Sequence, residues 1–377
     1  MAGILETGFS GNNPGAGPAA HEDLSDLLAV VDAKSTPVTS MIPKGRAAGA
    51  TTFHWQADGH LPNSKTGVVD GVDVVTTIAG NSGLDNTASS RKILKNNIQI
   101  FRRAGRVSLL SENVVNSAGV RSELAHMVSR LILTQKRDIE TAVSSKNDAK
   151  DGTSSVGFQT KALQSWLAPE GETRVVNGVD TNAACPCAVP NNFQSTSGAT
   201  VSTTKATFKA DDVQDALEAI YNETGVVRDY DLICDSNVKR GFTGFAESAV
   251  ANLGTPDTNG LAAPRVRTLN KEQSDRSFVS SIDIFTGDFG TVRLHVSSFL
   301  EKSNIVDTTS GSVTTDQDNS HGYGMILPMD MLELKYNMTT NVKPMTNNGG
   351  GEGRIITTIA GLAHKNPLSS GSISFTA

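Results

Sequence analysis

The chain has 377 residues, of which 37% are hydrophobic and 5% aromatic. That length accommodates two or three folded units, but the apolar content lies below the roughly 45–50% usual for soluble domains, so part of the burial is expected to come from neighbours. A net charge of −6 excludes a polycationic nucleic-acid coat, and three cysteines, an odd number, exclude a paired-disulfide framework.

Residues 1–20 are rich in Gly, Pro, Asn and Ala and predict a flexible arm. This stretch lacks the basic and apolar regions of a signal peptide. No apolar run approaches the roughly 18 residues of a membrane span. The chain is therefore expected to be soluble and cytoplasmic when made. Leu24, Leu27, Leu28 and Val31 recur at helical spacing, capped by Asp23 or Ser25, and Pro37 and Pro43 end that helix.

Residues 51–61 alternate as a strand, with Phe53 and Trp55 on one side. After a polar, Gly-rich stretch from Pro62 to Ser90, residues 91–109 alternate again at Ile98, Ile100 and Val107. The pattern predicts two long antiparallel strands with a mobile tip. A lone two-stranded ribbon is marginal in water, so it should lie on something else.

Residues 117–147 give the clearest helix, with Leu124, Val128, Leu131, Gln135, Ile139 and Ala142 in one stripe widened by Met127 and Ile132. At 1.5 Å per residue it would span roughly 40 Å, the length of a strut. Asp180–Asp211 is polar and nearly uncharged and predicts a loop-rich insertion. Residues 211–224 predict an amphipathic helix through Val213, Ala216, Leu217, Ile220 and Tyr221, stopped at Gly225. Residues 230–235 read as a short buried strand. Asp235 then caps a helix through Val238, Phe242 and Phe245. Residues 276–340 read as strands around a loop at 306–321, and 353–375 alternates again.

Motifs that could carry chemistry each have a plainer reading. Cys185-Pro-Cys187 is too tight for a zinc pair, and free loop thiols are expected. Asp288-Phe289-Gly290 lacks every companion of the kinase motif and reads as a turn with Gly290 at positive φ. Gly349–Gly353 lacks the Lys-Ser/Thr of a phosphate loop. His21, His54, His60, His126, His295, His321 and His364 are scattered, and structural roles are expected. No catalytic residue, cofactor or metal is predicted. The strongest charge feature is Arg91, Lys92, Lys95, Arg102, Arg103 and Arg106, with no acid between Asp85 and Glu112. It could meet phosphate, the acidic surface of a neighbouring subunit, or solvent, and the acidic balance elsewhere favours the subunit contact. With Phe53 and Trp55, these six are the candidate inter-subunit contacts.

The order of arm, hairpin, strut helix, α+β unit and returning strands resembles the tailed-phage major capsid proteins of the Hong Kong 97 type. The residues resemble the branch typified by the podophage SU-ten. They are Asp23-Leu24-Ser25-Asp26, Thr36-Pro37-Val38-Thr39-Ser40-Met41-Ile42, Trp55-Gln56-Ala57-Asp58, Asn97-Ile98-Gln99-Ile100, Lys136-Arg137-Asp138-Ile139-Glu140 and Thr286-Gly287-Asp288-Phe289-Gly290.

The resemblance implies an α+β, Hong Kong 97-like fold. Its parts would be an N-terminal arm at 1–50 and an extended β-hairpin loop at 51–100. A peripheral domain with a spine helix at 101–154 and an axial domain with an insertion at 155–275 would follow. Returning strands, mainly of the peripheral domain, would fill 276–377. It implies self-assembly into hexamers and pentamers of an icosahedral head around double-stranded DNA. Scaffolding, portal and decoration proteins would be partners, packaged DNA would lie close without being gripped, and no membrane is implied. The chain would reside in the virion, and in the host cytoplasm during assembly. Some capsids of this fold form Lys–Asn crosslinks, and Lys65 is the one lysine near the hairpin tip, but no partner Asn stands out. An encapsulin-like shell, a tail component or adhesin, and an enzyme with an unrecognised site are the alternatives.

Overall fold

The computed structural model describes residues 35–58, 91–113, 122–167, 175–176, 179–180, 189, 194–251, 282–300, 322–347 and 349–376. The N-terminal arm and its helix, the hairpin tip with Lys65, the Cys185–Cys187 pair and the 306–321 loop lie outside the described residues.

The described residues open with α1 (Pro37–Met41) and strands β1 (Lys44–Gly45), β2 (Thr52–Ala57), β3 (Lys92–Asn97) and β4 (Gln99–Val107). Next come α2 (Leu109–Asn113), α3 (Glu123–Ser144), α4 (Leu163–Trp166), the short strands β5 (Val175–Val176) and β6 (Val179–Asp180), and β7 (Thr200–Thr204). Then follow α5 (Ala210–Thr224), β8 (Arg228–Cys234), α6 (Ser236–Ala251), β9 (Ile284–Gly287), β10 (Gly290–Val296) and β11 (Gly322–Leu327). The long strands β12 (Leu332–Pro344) and β13 (Glu352–His364) precede the C-terminal β14 (Gly371–Thr376). Six strands form one mixed sheet in the order β7-β14-β11-β8-β10-β9, and four form another in the order β1-β12-β13-β4. Mixed helix and sheet is what the sequence predicts.

Two compact units divide the chain. One comprises Arg103–Thr134 with Val342–Ile356; the other comprises Ser35–Arg102, Gln135–Asn341 and Thr357–Ala377. In the first, Gly105 lets the β4 backbone lie close to α3: a Cβ there would sit 2.6 Å from Met127 Sδ and 3.0 Å from Leu131 Cδ1. Ser122 Oγ and Leu124 N both donate to the Glu112 carboxylate at 2.9 Å. The Leu124 amide in the first α3 turn thus finds an acidic partner where the helix dipole favours one.

In the second unit, α5 and α6 cover the six-stranded sheet. Val213, Ala216, Leu217 and Ile220 point inward from α5 at i, i+3, i+4 and i+7. They meet Tyr230, Leu232 and Cys234 of β8, with Val292, Ile326, Ile373 and Phe375 completing the core. Gly225 ends α5 in the left-handed region at φ 66°. Asp235 Oδ1 accepts the Val238 amide at 2.9 Å and starts α6. Gly290 takes φ 145°, and a Cβ there would lie 2.3 Å from the Arg228 carbonyl oxygen on the paired strand β8. These four features match the sequence reading.

Two expectations need correction. The 91–109 run is not one strand: β3 pairs with β2 from Thr52↔Asn97 to Ala57↔Lys92, the ladder breaks at Ile98, and β4 joins the four-stranded sheet. Ile100 faces solvent, and Phe101 is the buried residue. The polar insertion is not all loop, because Thr200–Thr204 pairs in parallel with Ser372–Thr376. β-branched Thr and Val suit an edge strand even without a strongly apolar face. Residues 284–296, 322–327 and 371–376, within the range read as returning strands, lie in the six-stranded sheet.

Candidate functional site

The root of the β2–β3 ribbon is held by two buried asparagines. The Asn96 amide donates to the carbonyls of Lys161 at 3.2 Å and Leu362 at 2.6 Å. Its Oδ1 accepts the amides of Lys161 and Asn97, each at 2.8 Å. Asn97 donates to the Lys150 carbonyl and to Asp151, and accepts from Thr52 Oγ1 at 2.7 Å. Both residues are fully buried. They satisfy the polar backbone that the strand break exposes. Sequence reasoning missed them; the available signal was a pair of amides inside an otherwise alternating run.

Beside them lies a buried charge pair. Lys161 Nζ donates to Asp148 Oδ1 at 2.9 Å, and that oxygen also accepts from Ser165 Oγ and Ala149 N at 3.0 Å. The network packs on Trp166, whose ring the Lys161 ammonium overlies at 5.4 Å. Such a pair tolerates burial only because its oxygen is shared among several donors.

A second anchor joins two of the motifs that carry the resemblance. Glu140 of α3 is fully buried, and its two oxygens accept the amides of Val38 and Thr39 at 2.8 Å each. Pro37 sits at the first position of α1, where its missing N–H costs nothing. The spine-side carboxylate thus fixes Thr36–Ile42. Burial, and secondarily the Glu140 charge, push the nearby Tyr336 hydroxyl above its ordinary range.

The predicted contact residues separate into two groups. Phe53 is buried in its own chain, stacked on Trp55 at 5.8 Å and lying against Gly361, where a Cβ would meet its ring at 2.7 Å. Trp55 packs on Trp166 at 5.7 Å. The two aromatics are therefore engaged within the chain. The cations face outward: Arg91, Lys92, Arg102, Arg103 and Arg106 are exposed and Lys95 half-buried. Arg91 pairs with Asp58 at 3.3 Å, and Arg106 donates to the Thr346 carbonyl at 3.3 Å. Period-two geometry puts Ile93 and Lys95 on the ribbon face opposite Phe53, Trp55 and Leu94.

Among the described residues no group of His, Cys, Asp and Glu is placed to hold a metal, and no helix is long and apolar enough to cross a membrane. Burial, with Asp235 adding to it, pushes the Cys234 thiol up to about 12, so it stays protonated and inert at neutral pH.

His364 is fully buried, bonded through Nε2 to Ser370 Oγ at 2.9 Å, and burial lowers its pKa from 6.5 to about 3. A lowered histidine pKa leaves stability unaffected above pH 6.5. As pH falls below that value, only the unfolded chain takes up the proton, so the folded state loses ground until about pH 3. Between about pH 6.5 and 4.5 this residue should remove about 2 kcal/mol. Denaturant titrations at both pH values, on the native chain and on His364→Leu, should show that part of the slope vanishing in the variant. Equal slopes would contradict this assignment.

The comparisons agree with one another. The SU10 major capsid protein family profile matches residues 3–377. No curated protein sequence matches significantly. Among solved structures, the capsid of the cyanophage P-SCSP1u is similar at TM-score 0.54 and 10% identity, over 100% of this chain and 98% of that one. A chain of Mycobacterium phage Bobi is similar at TM-score 0.52 and 12% identity, covering 95% and 96%. The mature capsid of bacteriophage PhiM1 is similar at TM-score 0.51 and 11% identity, covering 98% and 96%. At these identities the likeness is one of fold.

Proposed function

We propose, because the chain belongs to the SU10 major capsid protein family, a division of labour among its parts in the assembled shell. As a major capsid protein it forms the capsid shell of a tailed phage, and its family is structural, not enzymatic. The family match over residues 3–377 carries this conclusion against an encapsulin-like compartment, a tail component or adhesin, or an enzyme.

In our reading the fold is Hong Kong 97-like, and the shell is built of hexamers and pentamers enclosing double-stranded DNA. Residues 1–50 act as an arm bridging neighbours, and 51–100 as the extended loop lying across an adjacent subunit. The α3 helix is the spine of a peripheral domain with the four-stranded sheet. The six-stranded sheet with α5 and α6 is the core of an axial domain. The two anchors described above support this reading, since they hold the roots of the arm and of the loop on the chain's own core. Lys92, Lys95 and Arg102, which enter no ion pair among the described residues, are the contact residues offered to a neighbour. Scaffolding, portal and decoration proteins are partners on this view, DNA lies close without a dedicated binding site, and assembly takes place in the host cytoplasm.

Native mass spectrometry of gently dissociated particles tests the arrangement. Masses of five and six copies are expected. A particle that releases only trimers or dimers would contradict it.

A further inference from the structure

We propose that the basic stretch around the β2–β3 root docks on the acidic outer face of α5 in a second copy of this chain. The proposal rests on the capsid reading and names the partner surface within it.

Four observations carry it. First, the basic stretch is not merely a solvated strand. Ile93 is 60% exposed and Ile100 54% exposed, so large apolar side chains stand open among Lys92, Lys95 and Arg102. Apolar groups interleaved with charge are what an interface core with a polar rim presents before it closes. Second, these three cations enter no ion pair among the described residues.

Third, α5 holds the complement. Between residues 210 and 224 it carries Asp211, Asp212, Asp215, Glu218 and Glu223 and no Lys or Arg. Asp211, Asp215 and Glu218 are exposed at i, i+4 and i+7, opposite the Val213–Ile220 stripe that packs on the sheet. They too enter no ion pair among the described residues. Like charges at i, i+4 disfavour a helix unless something offsets them. Fourth, Ile93 and Lys95 share the ribbon face opposite Phe53, Trp55 and Leu94, so an open apolar group and a cation stand together there. In a chain of net charge −6, an uncompensated basic stretch and an uncompensated acidic face suit an intermolecular contact that sets register and steers approach.

Charge exchange tests this. The acidic-face variant carries Asp211→Lys, Asp215→Lys and Glu218→Lys. The strip variant carries Lys92→Glu, Lys95→Glu and Arg102→Glu. Each alone should lower the yield of assembled particles at least tenfold by sedimentation and electron microscopy. A chain carrying both sets should recover assembly. Circular dichroism and thermal melts of the dispersed chains check that the exposed substitutions leave the fold intact. Should either set fail to fold, light scattering of the unmodified chain at rising NaCl decides the matter: assembly should slow several-fold as the charges are screened. Full assembly by either single set, failure of the combined set to rescue, or salt-independent assembly would overturn the proposal. Loss of DNA retention in the strip variant, with normal assembly, would also overturn it and assign the strip to phosphate. If the unmodified chain forms no shell even with its scaffold, the capsid reading itself fails, and the two failures are thereby told apart.

Discussion

Replacing Asn96 by leucine should lower the unfolding free energy of the dispersed chain by about 3–5 kcal/mol. The side chain is fully buried and makes four hydrogen bonds, to the Lys161 and Leu362 carbonyls and from the Lys161 and Asn97 amides. Leucine fills a similar volume but leaves those backbone groups without a partner, and each buried orphan costs about 1–3 kcal/mol before relaxation. Asn96→Asp keeps the acceptor but sets a buried carboxylate oxygen against the Lys161 and Leu362 carbonyl oxygens, so it should cost at least as much as leucine. Denaturant titration reads both. A change under about 1 kcal/mol for leucine would mean that the ribbon root is held by Leu94 and Phe101 packing instead.

Glu140→Ala should cost about 2–4 kcal/mol and loosen the segment before β1. The carboxylate satisfies two buried or half-buried amides at 2.8 Å each. Glu140→Gln retains one acceptor oxygen and turns an N–H toward a donor, so it should lose most of the same stability. Trypsin should cut faster at the exposed Lys44 and Arg46 in both variants, because Thr36–Ile42 is no longer pinned to α3. Unchanged cleavage with lowered stability would show that Glu140 supports the core without fixing the arm.

The legible parts of the fold were those written locally. Gly225, Asp235 and Gly290 act through the residues beside them or through a single required φ, so the end of α5, the start of α6 and the β9–β10 turn could be read directly. The break at Ile98 could not. It depends on Asn96 meeting Lys161, 65 residues on, and Leu362, 266 residues on. No periodicity records such partners. The strand at Thr200–Thr204 was hidden for the same reason, since it pairs with the distant C-terminal strand. Phe53 and Trp55 could be read only as one side of a ribbon that needs a support, because local alternation does not say what the support is. In the folded chain Gly361 and Trp166 provide that support. The basic stretch was visible as charge, but its openness became evident only when Ile93 and Ile100 proved to face solvent. The family was legible through motifs whose order outlasts their individual weakness.

Cryo-electron microscopy of particles assembled from this chain, with its scaffold where one is needed, tests the central claim most directly. A closed shell with the chain at five-fold and six-fold positions, and with the α5 face covered by a neighbouring copy, is the predicted result. Discrete fibres or trimers, or a chain that stays monomeric alongside its scaffold, would contradict it.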